Sequence, residues 1–155
     1  MNKTKDNIIL FIAQGAYSGR APVAPGTAGT LVGILLYLLA RGLGGLWYGA
    51  VCAAVIIIGT WAAGQAERMF GAKDHSTIVI DEIAGYLVAM LLVPGTWQYI
   101  TAAFFLFRAF DIAKPFPLRR LEHLPGGLGV MLDDIGAGIY TNIVLQVFSI
   151  FLVKG

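Results

Sequence analysis

WYGAVCAAVIIIGTWAAGQA, residues Trp47–Ala66, is a run of twenty residues without a charged side chain. At ~1.5 Å of rise per residue a helix of that length reaches about 30 Å, the thickness of a bilayer's hydrocarbon core. The run is rich in Ala, Gly and Ile and has no period-two alternation, so it reads as a helix that satisfies its own backbone hydrogen bonds in lipid. Outward from it lie further apolar runs, at about Ala28–Ala40, Ile78–Val93, Trp97–Ala113 and Ile135–Val153. Ile135–Val153 is long enough to span, Trp97–Ala113 is borderline, and the remaining two are short. Pro25, Pro94, Pro115 and Pro117 stand at run ends, and Trp47, Tyr48, Trp97 and Tyr99 stand at run starts, where amphipathic rings favour an interface. The expected fold is all-α: a small membrane-embedded bundle of about five helices with short loops, one domain over residues 1–155.

Composition agrees. Of 155 residues, 57% are hydrophobic and 13% charged, against roughly 45–50% and about 25% in soluble domains. A net charge of +2 excludes a nucleic-acid partner and fits a protein held in a lipid bilayer. Cys52 is the single cysteine, so no internal disulfide forms. Ile8–Ala13 is too short for a secretory core of ~7–15 residues and reads as an interfacial segment of the mature chain. The spacings Gly29/Gly33, Gly49/Ala53 and Gly59/Ala63 would let helices approach closely.

Five runs of alternating direction sort the charges onto two faces. One face receives Arg20, Arg68, Lys73, Arg108, Lys114, Arg119 and Arg120; the other receives Arg41 and Lys154. The basic face is expected to be cytoplasmic. It also gathers Glu67, Asp74, Asp81, Glu82, Asp111, Glu122, Asp133 and Asp134, with both histidines, His75 and His123. The positive-inside rule does not ask for acids, so their convergence needs another cause.

Asp81 and Glu82 are expected to open the third helix, Asp133 and Asp134 the fifth, and Asp111 to lie in the last turn of the fourth between Arg108 and Lys114. Capping explains one acid per helix start, but it does not explain adjacent pairs or an acid near a C-terminus. Carboxylates gathered at one mouth repel unless a cation neutralises them, and oxygen-only donors suit a hard ion such as magnesium, which also binds phosphate. Asp81, Glu82, Asp111, Asp133 and Asp134 are therefore the candidate metal ligands. Arg108 and Lys114 would hold a phosphate. The turn Pro25-Gly26-Thr27-Ala28-Gly29-Thr30 leads into a helix N-terminus, a ready anion site to which Thr27 and Thr30 would contribute. Gly126, Gly127 and Gly129 would give a ligand close access to the backbone, or simply form a flexible loop. His75, ahead of the acidic pair, would donate a proton to a leaving oxygen or, as a loop histidine, simply be solvated.

DHSTIVIDE (Asp74–Glu82), FRAFDIAKPFP (Phe107–Pro117) and GGLGVMLDDIGAG (Gly126–Gly138), with PVAPGTAGT (Pro22–Thr30), resemble in order and spacing the phosphatidylglycerophosphatase A family. Arg20 departs from that pattern, where an uncharged residue is common. The resemblance implies a magnesium-dependent phosphatase of the bacterial inner membrane that converts phosphatidylglycerophosphate, its phospholipid substrate, into phosphatidylglycerol. In such an enzyme Asp81, Glu82, Asp133 and Asp134 would hold one or two ions that activate water. Asp111 would join them or orient Lys114, and Lys114 and Arg108 would stabilise phosphoryl charge. An aspartyl-phosphate route stays open, as do the oligomeric state and the acyl-chain preference. A second reading, a small membrane transporter or cation-binding protein using the same acids as an ion path, predicts polar residues deep in several helices. Mid-span polar residues read as few: Thr60, with Gln65 and Gln146 at run ends.

Overall fold

The computed structural model describes residues 3–153, and every regular element among them is helical. Lys154, assigned above to the less charged face, lies outside the described residues. The helices are α1 (Lys3–Ala13), α2 (Pro25–Ala40), α3 (Gly45–Phe70), α4 (Ile80–Ala89), α5 (Trp97–Ala113), α6 (Leu118–Leu121) and α7 (Gly127–Val153), with single 3-10 turns at Ser18–Arg20 and Arg41–Leu43.

Three stretches are long and apolar enough to cross a membrane: Pro25–Leu43, Gly45–Phe70 and Gly127–Phe151. The two runs expected to span are among them, and Ala28–Ala40, read above as short, lies in the third, Pro25–Leu43. α4 has ten residues and α5 seventeen, so α4 reaches only about 15 Å. Large apolar side chains such as Leu39, Ile57, Phe105 and Phe148 face outward, as they do where lipid takes the place of water around a bundle.

α4 is the inner helix. It packs against α7, α2, α3 and α5, and eight of its ten residues are buried. The approach depends on missing side chains. A Cβ on Gly138 would strike the backbone of Gly85, and one on Gly85 would come within 2.6 Å of the Asp134 carbonyl and of the Phe107 ring. Gly29 and Gly33 bring α2 onto Val79, Ile83 and Tyr86 in the same way, and Gly59 brings α3 onto Ile80 and Met131. The Gly49/Ala53 pair does not serve this purpose: nothing lies within 4 Å of a Cβ built on Gly49, and Ala53 is exposed.

A helix that stops inside an apolar layer leaves carbonyls that no water reaches. Here they are met from neighbouring helices. The Tyr48 hydroxyl donates to the Leu87 carbonyl at 2.7 Å. Asn142 Nδ2 donates to the carbonyls of Val88, Ala89 and Leu91 at 3.3, 3.0 and 2.7 Å. Gln146 Nε2 holds Asn142 Oδ1 at 2.8 Å. Tyr48 is thus buried rather than interfacial, while Trp47 and Trp97 are exposed.

The two ends of the bundle are distinct. Arg41 at the end of α2 donates to the Gly95 carbonyl just before α5, at 3.0 Å. At the opposite end, Gly127 of α7 lies against the Thr60 carbonyl and Gly64 of α3. That second end holds the starts of α2, α4 and α7 and the finishes of α3 and α5.

Candidate active site

Five helix ends bring the charged groups together. α4 opens with Ile80-Asp81-Glu82, so both acids stand in its first turn, where free N–H groups and the helix dipole favour anions. α7 contributes Asp133 and Asp134, but not from its start. It begins at Gly127, eight residues earlier than the apolar run indicates, and the aspartates lie nearly two turns inside it. The reason is packing: Gly127 and Gly129 are helical and press on Thr60 and on Leu124, so this part of α7 is covered by protein rather than lipid. These glycines form neither a ligand loop nor a flexible one.

Asp81, Glu82 and Asp134 each present a carboxylate oxygen within 4.8 Å of the others. Asp81 and Asp134 are buried and Glu82 is half-buried. Asp81 Oδ1, Glu82 Oε2 and Asp133 Oδ1 are buried with no hydrogen-bond partner among the described residues. Burial, with the charges of Glu82 and Asp134 beside it, pushes Asp81 well above the ordinary carboxylate range. Burial also raises Glu82, against the opposing effect of its hydrogen bond with Asp81. Anionic oxygens so close and so poorly hydrated are stable only with protons or a cation among them. The donor set, all oxygen and in excess of the nearby cations, fits a hard divalent ion.

The other two candidate ligands are engaged by bases. Arg108 Nη1 donates to Asp111 Oδ2 at 2.6 Å and lies 3.9 Å from Glu82 Oε1. The three-residue spacing read from the sequence thus makes a real pair, and the Asp111 carboxyl also stands beside Asp134. Lys114 Nζ donates to Asp133 Oδ2 at 2.6 Å and is 3.3 Å from Glu122 Oε2. Lys114 caps α5 in the left-handed conformation, with φ at 42°, so it leaves the helix face and swings toward α7. Burial disfavours its charge, but the hydrogen bond and charge of Asp133, with Glu122, outweigh that and raise it above an ordinary lysine.

The first turn of α2 closes the site from one side. A Cβ on Gly26 would collide with Glu82 Oε1 and come within 3.1 Å of Arg108 Nη1. Pro25 occupies the first helical position, and Thr27 is half-buried in the same turn. Thr30 is not available to a ligand: it is fully buried and its hydroxyl donates to the Gly26 carbonyl at 2.9 Å. His75 lies on the loop into α4, its ring stacked on Phe70 and its Nδ1 accepting from the Thr77 N–H at 3.3 Å. Sequence reasoning missed Glu122, because nothing in its spacing ties it to Lys114. It also missed Asn142, which eight residues of helical spacing place on the same face of α7 as Asp134.

A family model for phosphatidylglycerophosphatase A matches residues 11–149. A Bacteroides thetaiotaomicron protein named "Putative phosphatidylinositol-3-phosphatase" is 41% identical over 149 residues, covering 89% of this chain and 91% of that one. Haemophilus influenzae phosphatidylglycerophosphatase A is 41% identical, covering 90% and 87%. Escherichia coli phosphatidylglycerophosphatase A is 37% identical, covering 83% and 76%. No solved structure matches.

Proposed function

The chain belongs to the phosphatidylglycerophosphatase A family, and from that premise we propose that it removes the terminal phosphate of phosphatidylglycerophosphate, leaving phosphatidylglycerol. The observation that carries the reading is one mouth of a lipid-facing bundle where Asp81, Glu82 and Asp134 converge beside Arg108 and Lys114. The whole chain serves as one domain, in a bacterial inner membrane, with this mouth toward the cytoplasm.

Asp81, Glu82 and Asp134 would hold the ion, which we take to be magnesium. When bound, it supplies Lewis acidity at the phosphoryl oxygens. Arg108, aimed by Asp111, binds the phosphoryl group and offsets charge that builds on it. Lys114 adds a second positive charge, kept protonated and in place by Asp133 and Glu122. The N–H groups in the first turn of α2, next to Thr27, are assigned a phosphate oxygen, and Gly26 lets Glu82 and Arg108 close up against that turn. Asp133, one oxygen on Lys114 and the other without a partner, is assigned the proton of the attacking water. The new bond joins that water's oxygen to phosphorus, and the bond to the glycerol oxygen breaks. His75 is assigned to that leaving oxygen.

A transporter reading finds less support. Thr60 donates to the Ile56 carbonyl of its own helix, and Asn142 and Gln146 cap α4, so these deep polar groups are spent on the backbone. The test is phosphate release by purified protein from phosphatidylglycerophosphate and from phosphatidylinositol 3-phosphate, each with magnesium or with EDTA. Magnesium-dependent release from the first substrate is expected. Faster release from the second would replace the substrate assignment, and full activity in EDTA would remove the ion.

A further inference from the structure

A chain of hydrogen bonds leads to His75 from the end of α1 and the 3-10 turn that follows it. Arg20 Nε donates to Gln14 Oε1 at 2.8 Å. Gln14 Nε2 donates to Thr77 Oγ1 at 3.1 Å. Thr77 Oγ1 lies 2.9 Å from His75 Nδ1.

Each link fixes the direction of the next. A guanidinium has donors only, so it meets the amide oxygen of Gln14 and turns the amide nitrogen toward Thr77. The Thr77 hydroxyl, accepting that bond, keeps its one hydrogen for Nδ1. The Thr77 backbone N–H, 3.3 Å from the same nitrogen, is a second donor to it. Nδ1 is therefore an acceptor, and a neutral imidazole in that state carries its proton on Nε2. Gln14 is 3% exposed and the imidazole is stacked on Phe70 with centroids 4.2 Å apart. An amide flip would set donor against donor at Arg20, and a ring flip would give up both bonds to Nδ1. Arg20 is itself held over the Tyr17 ring, 4.2 Å from its centroid.

We propose that Arg20, Gln14 and Thr77 are positioning residues that hold the His75 ring with Nδ1 as acceptor and Nε2–H as a fixed hydrogen-bond donor to the phosphoester. The inference rests on the phosphatase reading and sharpens the part His75 plays in it. With Nδ1 occupied as an acceptor, Nε2–H is the one donor the ring has to offer. His75 thus acts by hydrogen bonding to the leaving glycerol oxygen as charge gathers there. When the bond to phosphorus breaks, its electron pair stays on that oxygen, and a solvent water supplies the proton.

The experiment is nitrogen NMR of the uniformly labelled full-length protein in micelles, with the His75 signals assigned through His75→Gln. The wild type and Thr77→Ser, which keeps the hydroxyl, should show a neutral ring protonated at Nε2. In Gln14→Glu the carboxylate accepts from Arg20 and also from the Thr77 hydroxyl, drawing that hydrogen away from Nδ1. Nδ1 then loses the hydroxyl's hydrogen and keeps only the Thr77 N–H, so its signal should shift and the preference for Nε2–H should weaken. Phosphate release by Gln14→Glu should fall roughly tenfold in kcat with KM held within about twofold, while Thr77→Ser keeps wild-type rates. A merely structural role predicts the reverse for Gln14→Glu, because a new ion pair to Arg20 would hold the fold. An unchanged ring state in Gln14→Glu, a wild-type ring not protonated at Nε2 alone, or a shifted ring with unchanged kcat would each overturn the proposal. The ring state is read without substrate, so a wild type inert toward phosphatidylglycerophosphate would count against the proposed function alone.

Discussion

Gly26 shows how much of this site depends on one absent methyl group. A Cβ there collides with Glu82 Oε1 and crowds the Arg108 guanidinium, both of them tips of flexible side chains rather than backbone. Gly26→Ala should therefore fold and insert normally while displacing the groups assigned to the ion and the phosphate. A loss of about tenfold in kcat, ~1.4 kcal/mol of barrier, is expected. Wild-type kcat in a folded Gly26→Ala protein would remove the α2 turn from the site. The carboxylates should be less forgiving. Asp134→Asn and Glu82→Gln each remove a charged oxygen from the converging set, and turnover should fall on the order of a thousandfold. Both should be assayed at limiting magnesium; near-normal rates in both would end the metal assignment.

At the scale of elements, α4 is the unusual part. Ten residues cannot cross a bilayer, yet they sit among helices that can. The short helix places Asp81 and Glu82 at its free N-terminus, opposite Asp134, and its C-terminus is closed by side chains from α3 and α7. Asn142 is the main cap. Asn142→Leu should leave the Ala89 carbonyl without its donor and weaken the bonding at Val88 and Leu91, destabilising the fold by about 2 kcal/mol. For a chain of this size that lowers Tm by on the order of 5 °C. The comparison is Ser149→Ala, an exposed site whose hydroxyl bonds only to its own helix. Equal melting of the two variants in the same detergent would show that the cap contributes nothing.

At the scale of the molecule, polarity has one direction. The acids and most of the bases gather at the end that holds the starts of α2, α4 and α7, while Arg41 and Trp97 mark the other end. With the charged mouth toward the cytoplasm, cysteines at Lys73 and His123, in a Cys52→Ser background, should resist an impermeant thiol reagent in intact cells and react in inverted vesicles. A cysteine at Leu46, exposed at the opposite end, should behave in the opposite way. External labelling at Lys73 would reverse the orientation.

Helical class, the apolar runs, the charged face and the acids that the fold brings together were legible along the chain. The reason is that solvent preference and charge are properties of single residues and short spacings, as in Trp47–Ala66, Asp81-Glu82 or the Arg108/Asp111 pair. The start of α7 was not legible, because Gly127–Met131 has the composition of a loop and is helical only where α3 and Leu124 cover it. Nor was the early end of α4, since an apolar run carries no mark of where a distant Asn142 will supply its last hydrogen bonds. The pairing of Lys114 with Asp133 and Glu122, the withdrawal of Thr30 into its own helix, and the line from Arg20 to His75 likewise join residues distant in sequence or set by local backbone turns. Such contacts depend on how helices cross, and the crossings at Gly85/Gly138 and Gly64/Gly127 exist only once the whole bundle has closed.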